Sequence, residues 1–148
     1  MARFSVGAKT TGAGSATLPS SALAAPAGSG GVLREVGITN TTATACDVRL
    51  VRLTTAGTPG ASFGTPGKHD PNSAAAALDA KQAYSSSAPT IGDLGYRASL
   101  GAAIGSGFIW TFPGNGLLIP AGTANAIGII AADGSTLQLL QVYYVWDE

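Results

Sequence analysis

The amino-acid sequence predicts an all-β fold, a β-sandwich or jelly roll of about eight short antiparallel strands with little or no helix. No segment keeps the apolar spacing of three and four residues that an amphipathic helix requires. Short β-branched and aromatic runs instead alternate with clusters of Gly, Pro, Asn and Asp, at spacings near ten residues. The 148 residues, 1–148, correspond in length to a single β-sandwich domain.

The first third of the chain contains three predicted strands. Arg3–Lys9 is the first, and residues 10–21, rich in Gly, Ser and Thr, are predicted to form a loop. In the second strand, residues 32–39, the even-numbered side chains are expected on one face and the odd-numbered ones on the other. A turn at residues 40–42 leads to the third strand, residues 46–54, and predicts a hairpin.

The middle of the chain is predicted to be a long connection. Gly and Pro clusters mark residues 57–72 as a loop. The four alanines at 74–77 have high helix propensity, but the run is short and lacks a cap at its far end. One helical turn and an extended passage into residues 78–84 are both possible, and we expect the extended passage.

Strand signals become dense after Pro89. Turn clusters separate five predicted strands, at residues 95–100, 108–112, 117–119, 126–131 and 137–146. The last strand is long enough to lie centrally in a sheet and to contribute side chains to both of its faces. No internal repeat of fixed period is present.

The charge composition narrows the range of partners. Charged residues make up 11% of the chain, against an average of about 25%, and eight basic side chains balance eight acidic ones. This balance, with no basic run, predicts neither nucleic-acid binding nor attachment to an anionic membrane. A surface so poor in charge indicates assembly with copies of itself or with a larger particle. The alternative, a monomer with a neutral, hydroxyl-rich surface, stays open.

Targeting signals are not recognised in the sequence. The N-terminal residues contain no apolar run of a secretory signal, and the longest apolar stretch, residues 126–132, is far shorter than the roughly 20 residues of a membrane span. Cys46 is the only cysteine, which excludes an intrachain disulfide and a Cys-rich zinc site. The chain is expected to fold in a reducing cytosol.

His69 is the only histidine and thus the only candidate base for a Ser-His-Asp triad. Asp70 follows it directly and would point away from it in an extended chain, and no Gly-x-Ser-x-Gly motif is present. A glycosidase-like carboxylate pair is not indicated either, because Glu35 and Glu148 are the only glutamates. We predict no catalytic residue and no enzyme activity.

Metal and cofactor sites are likewise not predicted. One His, one Cys and scattered acids lack the ligand spacing of zinc or EF-hand calcium sites. The glycine-rich segments 28–31 and 101–107 lack the lysine and the strand-to-helix context of a phosphate-binding loop.

The aromatic residues are predicted to belong to the core. Trp110 and Phe112 share one strand face, and Tyr144 and Trp146 share another. An alternative is a platform of exposed aromatic rings that stack on sugars, as in a carbohydrate-binding module.

The N-terminal segment has two interpretations. Residues 1–30 form either an extended arm, with Arg3 and Phe4 adding to the sheet of a neighbouring subunit, or an edge strand and loop of the same molecule. Together with Lys68 and His69 in the exposed loop, Arg3 and Phe4 are the candidate interaction residues.

Six blocks of the sequence resemble small structural proteins of tailed bacteriophages, notably those that infect actinobacteria. These blocks are LREVGITNTT at 33–42, KHDP at 68–71, LGYRASLGAA at 94–103, IWTF at 109–112, IPAGTAN at 119–125 and VWDE at 145–148. The likeness covers nearly the whole chain. Because the blocks consist of strand and turn sequence, no functional residue is carried over from them.

The resemblance implies a capsid decoration, or cement, protein with a β-sandwich fold and no cofactor. Such a protein is made in the cytoplasm of the bacterial host and becomes part of the virion. There it would bind the major capsid protein on the outer surface of the expanded shell, at capsomer junctions. A homo-oligomer, with a trimer favoured, would touch several capsid subunits at once.

Two other functions are compatible with the same sequence features. A tail, neck or head-fibre component would share the fold and differ only in its location on the particle. A carbohydrate-binding module for host adsorption would require an exposed aromatic platform.

Overall fold

The computed structural model describes residues 1–132 and 138–148 and shows two antiparallel sheets packed face to face. This architecture confirms the predicted β-sandwich, and the described residues contain no helix. The strands are β1 (Arg3–Lys9), β2 (Ser21–Ala24), β3 (Gly31–Asn40), β4 (Cys46–Leu53), β5 (Gly67–Lys68), β6 (Asp79–Gln82), β7 (Ile91–Leu100), β8 (Gly107–Thr111), β9 (Leu117–Ile119), β10 (Ala126–Ala131) and β11 (Leu140–Asp147).

The strands divide into a six-stranded and a five-stranded sheet. The six-stranded sheet has the order β5-β1-β11-β3-β8, with β9 also paired to β3, and the five-stranded sheet has the order β6-β2-β10-β4-β7. The last strand, β11, lies between β1 and β3, as its length predicted. The predicted start of this strand, Leu137, lies outside the described residues.

No two strands that are consecutive in the described sequence pair with each other. The predicted hairpin of the second and third strands is therefore wrong: β3 belongs to the six-stranded sheet and β4 to the five-stranded sheet. The physical reason is burial, because both strands are rich in apolar side chains that pack in the same core from opposite sheets. The side chain of Asn40 stabilises the connection from β3 to β4, because it donates hydrogen bonds to the carbonyls of Thr44 (2.6 Å) and Gly101 (3.0 Å).

A β-bulge in β3 changes which of its side chains face the core. Glu35 is opposite Val145 and Leu33 is opposite Trp146, so that Arg34 has no directly paired residue. Leu33 consequently faces the core together with Val36, three residues later. The expected alternation through residues 32–39 is wrong at this point, because the extra residue reverses the faces.

Three short strands, β2, β5 and β6, were not among the eight predicted from the sequence, and β6 lies in the passage that was expected to be extended. Strand β2 lies in the interior of its sheet. It was missed because it consists mostly of Ser and Ala, which have low strand propensity. Strand β5 has only two residues and falls within the predicted loop. The alanines at 74–77 are not helical: residues 74–76 have no regular secondary structure, Ala77 lies in a bend, and β6 begins two residues later.

The two sheets differ in how their outer faces are covered. The main core fills the space between the sheets, and its largest buried side chains include Trp146, Tyr144 and Phe4. A second apolar cluster lies on the outer face of the five-stranded sheet, where Tyr84 and Leu18 cover it. No such cluster covers the outer face of the six-stranded sheet in the part of the chain that the structure describes.

Candidate interaction surface

Strand β5 brings the backbones of all four candidate interaction residues together. It pairs with β1, so that Lys68 lies opposite Phe4, and the backbone N–H of His69 donates to the carbonyl of Arg3 (2.9 Å). Lys68 and His69 are exposed, and the Lys68 ammonium donates to the carbonyl of Ser73 (2.6 Å). A two-residue strand has no sequence signature, so this juxtaposition could not be predicted.

Phe4 belongs to the core and not to the surface. Its side chain is only 2% exposed, and its ring centroid lies 5.9 Å from that of Trp146. Strand β1 pairs with β11 of the same chain over its whole length. In this structure the N-terminal residues therefore form a strand of the chain's own sheet, which buries Phe4 and turns the neighbouring Arg3 outward.

Arg3 and Arg34 hold the same carboxylate on the outer face of the six-stranded sheet. Arg3 donates to both oxygens of Asp147, at 2.7 and 3.1 Å, and Nε of Arg34 donates to Oδ2 at 2.7 Å. The hydrogen bond from Arg3 is the main cause that keeps the pKa of Asp147 below its usual range, and the hydrogen bond from Arg34 adds to it. Partial burial acts in the opposite direction, because it raises the pKa. The two guanidinium groups are thereby fixed in position.

His69 lies beside one hydroxyl group but lacks the rest of a catalytic triad. Its Nε2 atom is 3.3 Å from Oγ of Ser5, and both groups border a shallow depression of about 560 Å³. Within residues 1–132 and 138–148, His69 makes no hydrogen bond to a carboxylate, and Asp70 instead accepts from the N–H of Asn72 (2.9 Å). The arrangement therefore supplies a base and a hydroxyl, without the third group that orients the imidazole in a triad.

The predicted aromatic pairs are packed at different depths. Tyr144 and Trp146 are fully buried. Trp110 is half-buried between β7 and β8, where Tyr96 and Phe108 contact it in edge-to-face geometry at centroid distances of 6.0 and 4.6 Å. These aromatic side chains close one edge of the sandwich, and Tyr96, 37% exposed, is the most accessible of the group.

The outer face of the six-stranded sheet carries accessible apolar side chains that the sequence analysis did not single out. Ile109 on β8 is 56% exposed and Leu118 on β9 is 59% exposed. A signal was present, because Phe108-Ile109-Trp110 and Leu117-Leu118-Ile119 are uninterrupted apolar triplets. In a strand the middle residue of such a triplet faces away from its two neighbours.

Tyr143 lies at the centre of this outer face. A Cβ atom added to Gly37 would be 2.0 Å from Cε1 of Tyr143, which shows that the ring lies directly over the glycine. The Tyr143 hydroxyl donates to Glu35 (2.7 Å), and burial together with this carboxylate raises the pKa of Tyr143 to about 12. The ring is thus held over Gly37 by its hydrogen bond to Glu35.

The described residues contain no group of three or more His, Cys, Asp and Glu side chains placed to hold a metal ion. None of their segments is a helix of the length and apolarity needed to cross a membrane. Comparison of the chain with protein-family models, with curated proteins and with solved structures gives no match.

Proposed function

We propose that this protein is a non-enzymatic structural protein of a virion, a decoration protein on the outer surface of a phage capsid. The observation that carries the proposal is the uncovered outer face of the six-stranded sheet, with Ile109 and Leu118 exposed on it. Apolar side chains on an uncovered sheet face lose accessible surface when a partner covers them, which favours binding. The sequence resemblance supplies the partner, the major capsid protein at capsomer junctions of the expanded shell.

The architecture of this face suits a mechanical role. Six strands provide a rigid support, Tyr143 is fixed by Glu35, and the two arginines are fixed by Asp147. A preorganised surface loses little conformational entropy when it binds. If three copies form a trimer, modest contacts on each copy combine through multivalency to tie neighbouring capsomers together.

The test is a binding assay of the purified protein with undecorated, expanded capsids, with electron microscopy at increasing protein concentration. Stoichiometric density at capsomer junctions is the expected result. The variant Ile109→Glu places a charge on the outer face and should weaken binding at least tenfold. Ile104→Glu is the matched control, because Ile104 is 72% exposed but lies in the loop between β7 and β8.

Other results would redirect the assignment. Density on tails, necks or head fibres would contradict the capsid site and keep a structural role elsewhere on the particle. Retention on immobilised polysaccharide would favour a carbohydrate-binding module, and loss of that retention in Tyr96→Ala would locate the site at the most exposed aromatic ring. Equal shell binding by the two isoleucine variants would show that the outer face is not the contact surface.

A further inference from the structure

Strand β8 is an edge strand of the six-stranded sheet, and it turns part of its backbone away from the molecule. Just after β8, the N–H of Phe112 donates to the carbonyl of Arg34 on β3 (2.8 Å). Just before β8, the carbonyl of Ser106 accepts from the N–H of Asn40 (2.8 Å). Because hydrogen bonding alternates along an antiparallel strand, the even-numbered residues of β8 bond to β3 and the odd-numbered ones direct their N–H and carbonyl groups outward. The outward residues are Gly107, Ile109 and Thr111, all of them exposed.

The other edges of the two sheets are protected against pairing with another chain. Strand β5 has only two residues and carries Lys68. The outer edge of β6 is covered by Ser62, which bridges to Lys81. Strand β7 is irregular at Gly95, where φ is 79° and the N–H donates to the carboxylate of Asp93 (2.8 Å). Short length, charge, cover and bulges are the devices by which proteins prevent edge-to-edge association.

Strand β8 shows none of these devices within the described residues. Its sequence, Gly-Phe-Ile-Trp-Thr, includes no charge and no proline, and its register with β3 is regular. No backbone hydrogen bond from another part of the described chain reaches its outward groups. At β9, which follows along the same edge, Arg52 donates to the carbonyl of Leu118 (2.6 Å). The accessible part of this edge is therefore β8.

The sequence of β8 is complementary to itself in an antiparallel pairing. When Ile109 lies opposite Ile109 of a second copy, Gly107 lies opposite Thr111. The outward N–H and carbonyl groups of these residues then meet in hydrogen-bonded pairs. In the same register Phe108 lies opposite Trp110, and aromatic cross-strand pairs stabilise a sheet. A two-fold axis at Ile109 therefore gives every outward backbone group of the strand a partner.

Exposed apolar side chains are concentrated on the same side of the molecule. Within the described residues, the large apolar side chains that are exposed belong, apart from Met1, to β7, β8, β9 or the loop between β7 and β8. They are Tyr96, Ile104, Ile109 and Leu118. Stable interfaces bury about 1,200–2,000 Å² in total, more than the backbones of two short strands provide. These side chains are placed to contribute the additional buried area.

We propose that the protein forms a two-fold symmetric homodimer through antiparallel pairing of β8 with β8 of a second copy. The two six-stranded sheets then become one continuous sheet, and the interface is the same patch on both copies. The inference does not rest on the proposed capsid function, because it uses the edge of the sheet and leaves the outer faces of both copies uncovered. The dimer replaces the trimer as the unit that would provide multivalency.

The first test is sedimentation equilibrium of the full-length protein in the absence of capsids, at concentrations up to about 1 mM. The expected mass is twice that of the chain. The variant Thr111→Pro removes an outward N–H and no hydrogen bond to β3, so it should raise the dissociation constant of the dimer at least tenfold. Thr111→Val keeps the N–H and the β-branched shape, and it is the matched control that should leave the constant unchanged.

The second test checks the register and decides the question even where Thr111→Pro fails to fold. Ile109→Lys and Ile109→Glu each place like charges opposite each other, so each variant alone should sediment as a single chain. An equimolar mixture of the two variants brings opposite charges together at the two-fold axis. The mixture should regain the dimer, and native mass spectrometry should detect the mixed species.

Three kinds of result would overturn the proposal. The first is a wild-type mass of a single chain at every concentration, or the mass of a trimer. The second is an equal dissociation constant for folded Thr111→Pro and Thr111→Val, and the third is an association of the Ile109 variants that is the same alone and mixed. Because no capsid is present, the capsid assay is judged separately: a single chain that binds shells refutes only the dimer, and a dimer that binds no shells refutes only the capsid function.

Discussion

The side-chain carboxylate of Glu148 accepts a 2.7 Å hydrogen bond from the indole Nε1 of Trp146, the largest fully buried side chain of the core. The same carboxylate accepts from the backbone N–H groups of Ala77 (2.8 Å) and Leu78 (2.9 Å). Backbone groups bound in this way cannot form helical hydrogen bonds. The contact therefore helps to keep the end of the alanine run, at Ala77, out of a helix.

Replacing Glu148 should destabilise the fold. In Glu148→Ala, three donors lose their acceptor, and the indole N–H of Trp146 remains buried without a partner, which costs about 1–3 kcal/mol. Urea unfolding, monitored by tryptophan fluorescence, measures the loss. Glu148→Gln retains one acceptor oxygen and should lose less, and an unchanged urea midpoint for the alanine variant would contradict the role of this carboxylate.

The acid stability of the protein should depend on Asp147. Its folded-state pKa is lowered by Arg3 and Arg34, so its contribution to stability is present above the unfolded pKa and is lost as the pH falls through the folded value. Asp147→Asn is expected to cost about 2 kcal/mol at pH 7, where a charged hydrogen-bonded group is lost, and to flatten the decline in stability below about pH 5.

A matched control separates this effect from general surface electrostatics. The pKa of Asp93 is also lowered, first by its backbone hydrogen bond with Gly95 and then by Arg97. Its carboxylate is more exposed than that of Asp147, and exposed ion pairs contribute little to stability. Urea unfolding between pH 3 and pH 7 should show a smaller change for Asp93→Asn, and equal losses for the two variants would refute a special role of Asp147.

The close contact of Tyr143 with Gly37 makes a side chain at position 37 unfavourable. Gly37→Ala would displace the ring and break its hydrogen bond to Glu35, at an expected cost of about 1–3 kcal/mol. In a Tyr143→Ser background the same substitution should cost much less, which a double-mutant cycle measures. Gly92→Ala is the control, because the nearest atom to its added Cβ is 3.9 Å away.

The sequence was sufficient to predict the fold class because the period of its apolar residues and its turn residues are local signals. Pairing is not local: no two consecutive strands of the described chain are neighbours, so the turn after residue 40 indicated a hairpin where the chain changes sheets. The bulge at Arg34 is equally invisible in the sequence. It becomes evident only once the opposing residues Val145 and Trp146 are known.

The candidate surface was predictable only in part, for the same reason. The exposure of Lys68 and His69 follows from their polar, Pro- and Gly-flanked context. The burial of Phe4 depends on its position opposite Trp146, 142 residues further along the chain. Which of the two outer faces remains uncovered is decided by loops that pack on one sheet and not on the other.

The last prediction concerns the Ser5–His69 pair. Serine catalysis needs a base that is held in the correct orientation and a site that stabilises the developing oxyanion. His69 is exposed and has no carboxylate partner in the described chain, and Ser5 lies in a regular stretch of β1. Hydrolysis of p-nitrophenyl acetate should therefore proceed without an acyl burst, and Ser5→Ala should match the wild-type rate. The rate that is lost in His69→Ala should not exceed the rate that free imidazole produces at the same concentration. A stoichiometric burst that disappears in both variants but persists in Ser73→Ala would instead establish covalent catalysis by Ser5 and refute the non-enzymatic assignment.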